Sequence, residues 1–455
     1  MRNMFFHRKN RGYMVLIVIL LILCILFFIC PIHYSLNYNL LIASLIAISI
    51  VCYFNSKKGE SYLDFEPIFI IVGLISCLVF PLFVFPIEEK LALFFSFGKP
   101  YNFDCINKGT TLSAIGLNSF MIGSFPTKSN RSNSNTYAYN VQNNSSIFPV
   151  TLLLYLIYSL LGGFSMYKNK YLGETIHSSG TTYIETILIP LLLVMVFNEF
   201  WNKYNNSSYK IKKMYVGFAL LISFQYMLVG NRTLGVAIAL PIIIFFSKFF
   251  YKVSLKVFVL FMFVAFSAMI FIQSYREGHD VEAGKTWFMY ISDMLIPNTT
   301  VYLACDIVET TGITWGKAML QTFLTVVPMA QSLFISISGW DVWEIGSAYI
   351  FTRYLGLEGT VGIGSSYVAE LYLCFGLVGV ILFPLWLGKF IRHSKSKLFC
   401  SYNLSLLYFV LCGFSVYIVR ASILSPLRFM VWSLFFAWYI NRINRKSLIK
   451  QNEKV

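Results

Sequence analysis

The sequence predicts an all-α polytopic membrane protein, with about twelve transmembrane helices and one long structured extracytoplasmic loop in a single membrane domain over 1–455. Three observations predict it. Of the 455 residues, 57% are hydrophobic and 12% are charged, against roughly 25% charged in a soluble chain. The apolar residues fall in blocks of about 20, enough helix to cross a hydrocarbon core. Lys and Arg gather in alternate connecting segments, the asymmetry that keeps positive loops on the cytoplasmic side. Helices rather than irregular spans follow, because unpaired backbone polar groups are too costly in lipid.

The opening MRNMFFHRKNR leads into a first span at 13–30. It is not a cleaved signal, because the run is too long and no A-x-A site follows. Further spans are predicted at 36–54, 67–85, 109–125, 147–166, 183–201, 214–229, 234–250, 257–272, 366–391, 404–419 and 427–440. The fourth carries the weakest signal of its own, and the alternation of charge supports it. With it, and with both termini in the cytoplasm, 24 of the 36 Lys and Arg lie in inner segments; without it the later basic loops would face outward. The inner loop 126–146 (PTKSNRSNSNTYAYNVQNNSS) is too polar to bury apolar area and reads as a flexible linker. The outer loop 273–365 is far longer than a plain connection and contains apolar pieces. It is expected to fold against the membrane as amphipathic or re-entrant helices, the kind of segment on which binding and chemistry sit.

The formal charge of +16 comes without a basic patch interleaved with aromatics, so no nucleic-acid partner is expected. Nine cysteines form no CxxC pair and read as small buried hydrophobes; only Cys105 and Cys305 fall in predicted outer loops, where a disulfide is possible. His33, His177 and His279 stand alone, no D-x-D pair holds a metal and no phosphate-binding loop is present. No metal or cofactor is expected. Glu199 precedes Lys203 by four residues, which suits an interfacial helix pair.

Charges at the predicted outer mouth are functional candidates because burial near lipid is expensive. Arg232, Arg276, Arg353, Arg420 and Arg428 gather there, and all five are Arg rather than Lys. A guanidinium is always ionised and binds two phosphate oxygens at once, so this set suits a pyrophosphate. The alternative for each is snorkelling to headgroups or pairing with a local acid. Glu370, about one turn inside the tenth span, is the candidate catalytic carboxyl, either a general base or a structural partner of an arginine. The acids of the long loop, Asp280, Glu282, Asp293, Asp306, Glu309, Asp341, Glu344 and Glu358, suit sugar hydroxyls or ordinary solvation.

Three stretches resemble the bacterial oligosaccharide repeat-unit polymerases of O-antigen and capsule, the Wzy family: GNRTLGVAIALPIIIFF, SYREG and GSSYVAELYLCFGLVGVILFPLWLG. The intervening WGKAMLQTFLTVVP is similar to the family's loop as well. The resemblance implies a metal-independent glycosyltransferase at the outer face of the bacterial inner membrane. Its donor and acceptor would be glycans linked to undecaprenyl pyrophosphate, its surroundings membrane lipid, and a co-polymerase regulating chain length a further partner. Arg232 and Arg276 would contact pyrophosphate, and Glu370 would lie at the site. An O-antigen ligase, or a flippase or other transporter of lipid-linked glycans, are the alternative readings.

Overall fold

The computed structural model describes residues 2–57, 61–87, 96, 98–126, 144–165, 180–276, 292–358 and 362–452. Among them secondary structure is helical, with no strand. The helices are α1 (Arg2–Phe28), α2 (Leu36–Ser56), α3 (Phe65–Val79), α4 (Cys105–Ser124), α5 (Ile147–Leu160), α6 (Thr181–Asn205), α7 (Lys213–Leu228), α8 (Arg232–Phe250) and α9 (Leu255–Arg276). They continue with α10 (Ser292–Thr311), α11 (Leu320–Leu324), α12 (Ala330–Ser338), α13 (Val342–Ile345), α14 (Ser347–Tyr354), α15 (Tyr367–Ser396), α16 (Tyr402–Arg420) and α17 (Leu427–Asn452). Each of the twelve predicted spans falls on a helix. Seven are long and apolar enough to cross a membrane: α1, α2, α3 with the π-helical turn that extends it, α6, α8, α15 and α16. Helices α5 and α7 and the stretch Leu255–Ala265 of α9 are apolar but shorter. The predicted linker lies almost wholly outside the described residues.

Two compact units divide the chain. One comprises Met1–Asn130, Val259–His393 and Ser415–Ser425, the other Arg131–Phe258, Ser394–Phe414 and Pro426–Val455.

The first unit is organised by α4. Every residue of this helix except Lys108 is buried, with α1, α2, α3 and α10 packed around it. Its sequence, CINKGTTLSAIGLNSFMIGS, is too polar for a lipid-facing helix and suits a protein-facing one, where small residues let backbones approach and polar side chains bind neighbouring helices. Asn107 is the clearest case. Its amide nitrogen donates to the carbonyls of Pro31 at 3.0 Å and His33 at 2.8 Å. Its oxygen accepts from the Ser35 N–H at 3.2 Å and the Asn39 amide at 2.8 Å. One side chain thereby satisfies the turn between α1 and α2. Lower on the helix Asn118 donates to the Leu16 carbonyl, and Ser124 meets the Tyr53 hydroxyl at 3.0 Å.

Glycines on α4 set the closest approaches. A Cβ on Gly123 would lie 2.1 Å from the Leu385 carbonyl oxygen of α15, and one on Gly388 would lie 2.5 Å from the Phe120 carbonyl oxygen. A Cβ on Gly109 would enter the ring of Tyr302 in α10. Helix α10, in the segment the sequence reads as the long loop, thus packs deeply against α3 and α4. Cys105 and Cys305, assigned to outer loops by sequence, are free thiols buried in α4 and α10. A further polar contact within this unit is the Lys57–Glu66 pair, 3.2 Å long and buried on both sides.

The second unit has an aromatic core of Phe197, Phe200, Phe245, Phe399, Tyr402 and Phe409. Gly413 lets α16 press against the backbone of Ala237 in α8. Glu199 corrects the sequence reading, for it does not pair with Lys203. The segment after α6 folds back across the helix end, so Glu199 is buried and accepts from Asn144 at 2.8 Å, the Tyr209 hydroxyl at 3.0 Å and the Lys212 N–H at 2.9 Å. Lys203 donates instead to the Ser207 carbonyl.

Replacing Gly123 by Leu is expected to destabilise the protein by at least about 1–3 kcal/mol, the usual cost of overpacking. Gly217→Ala meets nothing within 4 Å and is expected to be neutral or stabilising; thermal unfolding in detergent compares the two. Asn107→Leu leaves buried partners unpaired at about 1–3 kcal/mol each. It is expected to lower the unfolding midpoint well beyond Lys108→Ala, measured the same way.

Candidate functional site

The polar centre of the first unit forms where α15 begins and α16 ends. Glu370 sits in the first turn of α15 and only 1% of it is exposed. Its Oε2 accepts from the Ser422 hydroxyl at 2.5 Å, and its Oε1 lies 3.3 Å from the Ser347 hydroxyl of α14. Ser347 is also 2.9 Å from the Ser365 hydroxyl, so Ser365 can donate to Ser347 while Ser347 donates to the carboxyl. Neighbouring hydroxyls extend the set: Ser366 caps the Ala369 N–H and lies 3.4 Å from Thr300 of α10. One carboxyl thus joins the start of α15, a helix of the long loop and the turn after α16. Sequence reasoning placed Glu370 correctly in the first helical turn but did not find its partners, because two serines 23 residues before and 52 after carry no local signal. Among the described residues no cation pairs with it, so the alternative of an arginine partner is not met there. In this arrangement neither oxygen faces an open site, which a base acting directly on a sugar hydroxyl requires.

Helix α15 is broken just beyond Glu370. Gly376 has φ 61° and ψ −153°, a conformation open to glycine, and it interrupts the hydrogen-bond ladder. The loop repairs the break, since Thr314 donates its N–H at 2.8 Å and its hydroxyl at 3.1 Å to the Leu373 carbonyl. Non-helical backbone inside a membrane protein is tolerated where protein partners satisfy it in this way. The segment Tyr367–Phe375 is therefore a separately capped piece of helix that carries Glu370, held by the loop at its far end and by serines at its near end.

Arg420 ends α16, two residues before Ser422. It is half-buried, and its buried Nε has no hydrogen-bond partner among the described residues. The carbonyl end of α16 helps to tolerate that charge. Arg353, in contrast, is committed: it lies 3.2 Å from Glu358 and 3.6 Å from Asp341, and about half of its side chain is exposed. This is the local-acid alternative to phosphate binding. Arg232, the first residue of α8, is buried behind the Asn231 cap, whose side chain accepts from the Leu234 N–H. Arg428 lies in the first turn of α17 with its guanidinium 4.8 Å from the Phe429 ring centre. Both belong to the second unit, whereas Glu370, Arg353 and Arg420 belong to the first. Arg276 is the last residue of α9.

The loop acids mostly serve as latches. Glu344 pairs with Lys317 at 2.6 Å, and Lys317 also stacks over Trp340 at 4.3 Å. Glu309 pairs with Lys108. Asp306 accepts from the Tyr354 hydroxyl at 2.7 Å; burial first, then this carboxylate, pushes the Tyr354 phenol up to about 12, so it remains a donor at neutral pH. His33 lies beside Asp104 at 3.1 Å. Asp280, Glu282, His177 and His279 lie outside the described residues. Among the described residues no three His, Cys, Asp or Glu side chains gather as a metal-binding group.

Because exposed ion pairs are worth less than about 1 kcal/mol, Arg353→Gln is expected to leave the unfolding midpoint close to that of the native protein.

No curated protein and no solved structure matches the chain. A family model does, over residues 14–452, a span that takes in the broken α15, the Glu370 cluster and every arginine described above. This multi-pass membrane protein belongs to the O-antigen polysaccharide polymerase Wzy family.

Proposed function

We propose that the protein joins oligosaccharide repeat units carried on undecaprenyl pyrophosphate into O-antigen or capsular polysaccharide, at the outer face of the inner membrane. Family membership supports glycosyl-transferring polymerisation of lipid-linked units. The twelve helices at the predicted spans and the charge alternation support twelve crossings with both termini in the cytoplasm. The loop helices then lie outside, where the exposed Phe323, Val327, Met329, Leu333 and Ile337 suit the headgroup boundary.

In the reaction the acceptor sugar hydroxyl attacks the anomeric carbon of the growing chain. The bond from that carbon to the pyrophosphate oxygen breaks, the pyrophosphate departs with the electron pair, and the hydroxyl proton passes to a base. Fixed positive charge at the leaving group lowers the barrier most, because the charge develops there. The observation that carries the proposal is Arg420, a half-buried guanidinium whose Nε has no hydrogen-bond partner among the described residues. Arg232 and Arg276 are assigned to pyrophosphate on the family motifs, and Arg428 on topology. Arginine supplies charge without a metal or other cofactor, and the chemistry of bidentate recognition fits phosphate. Glu370 belongs to the same site through its bond to the Ser422 turn. As a general base it would first have to be uncovered; as a group that holds the site in shape it acts as it stands. A chain-length-regulating co-polymerase is the proposed protein partner.

Deleting the gene is expected to leave carrier lipid bearing a single repeat unit; long chains stranded on the carrier would indicate a ligase instead, and absence of lipid-linked units outside the cell would indicate a flippase. Complementation with Arg232→Lys, Arg276→Lys or Arg420→Lys is expected to shorten the polymer sharply at normal membrane levels. Full-length polymer from all three would overturn the assignment.

A further inference from the structure

We propose that Glu370 is a positioning residue that sets Arg420 in place through Ser422 and makes that placement depend on the docked loop through Ser347. The inference rests on the reading of Arg420 as a pyrophosphate contact and adds how its geometry is fixed. Three observations carry it.

First, the Ser422 hydroxyl is held twice, donating to Glu370 at 2.5 Å and accepting from the Leu424 N–H at 3.1 Å. The turn Ser422–Ser425 is closed by its own backbone bond as well. Only one residue separates this anchored serine from Arg420, so the backbone at the end of α16 has little freedom while the anchor holds. Second, the other carboxyl oxygen faces Ser347, the first residue of α14. Helix α14 belongs to the same loop that caps the broken α15 through Thr314. Undocking this helix removes a donor from Glu370, and docking supplies it. Third, Glu370 is buried and touches none of the described cations, which suits a group acting through its neighbours rather than on substrate. A carboxyl group that accepts from donors on two further elements ties three segments together with a directionality that apolar packing lacks.

A double-mutant cycle tests this in membranes of the deletion strain, using the lipid-linked repeat units already present there and the initial rate at which single units become a ladder. Arg420→Lys is expected to slow the rate about tenfold or more, the scale of a lost bidentate phosphate contact. Ser422→Ala and Glu370→Gln are each expected to slow it about three- to tenfold, whereas Ser422→Thr, which keeps the hydroxyl, stays within about twofold. Combining Ser422→Ala with Arg420→Lys is expected to add less than about twofold to the Arg420→Lys loss, since both act through one contact. Membrane level and monodispersity in detergent are checked for each variant, and Ser347→Ala, on a different element, repeats the cycle if Ser422→Ala does not fold.

Losses that multiply, or a Ser422→Ala protein as fast as the native one, overturn the positioning role while leaving Arg420 as a phosphate contact. A normal rate from Arg420→Lys overturns the functional reading on which the inference rests. If Ser422→Thr is as slow as Ser422→Ala, the hydroxyl is not what matters, and the proposal fails on that ground.

Discussion

The four hydrogen bonds of Asn107 express the constraint on which the first unit depends: polar groups removed from water must be satisfied within the protein. Two carbonyls, one backbone N–H and one side-chain amide converge on that side chain, and through it the connection between α1 and α2 is fixed to α4. The same constraint runs down the helix at Thr111, Asn118 and Ser124, each of which bonds outside or back onto its own helix. Such a helix buys specificity that a uniformly apolar one lacks, because its partners must arrive in one register. Close glycine contacts with α15 then fix the depth of packing, and so locate the end of α15 that carries Glu370.

The same rule explains the break in α15. At Gly376 the ladder is lost, and Thr314 from the loop restores an acceptor's partner. A continuous helix would need no help from the loop; a broken one couples the loop to the helix. The Glu370 carboxyl adds a second attachment from the opposite side. Loop, helix and the Arg420 turn are consequently linked by directional bonds, whereas the exposed pairs around Arg353 add little energy and chiefly limit where the loop lies.

In the proposed reaction, where a charged leaving group departs, this division is useful. Guanidinium groups supply charge that is independent of pH. In the proposed arrangement the bond from Ser422 to Glu370 positions Arg420 without neutralising it, as a salt bridge to Glu370 would. The contrast between Arg353, which faces two acids, and Arg420, whose anchoring neighbour is a serine, shows how two arginines of similar sequence setting acquire different chemistry from their surroundings.

By itself the sequence determined the helical, membrane-spanning character of the chain, the positions of the helices and the motifs of its family, because each depends on local composition and spacing. It also marked Glu370 and the arginines as unusual, since charge near lipid is costly wherever it occurs. Tertiary structure alone decided which neighbours those charges meet. The central place of α4 was hidden, because a protein-facing helix needs polar and small residues that hydropathy counts against it. Glu199 exchanged a neighbour on its own helix for a segment folding back across the helix end. Burial of α10 and the meeting of Glu370 with Ser347 and Ser422 arise from residues far apart in the chain. Their meeting is set by packing and by the need to satisfy every buried polar group, and neither is written in any one window of sequence.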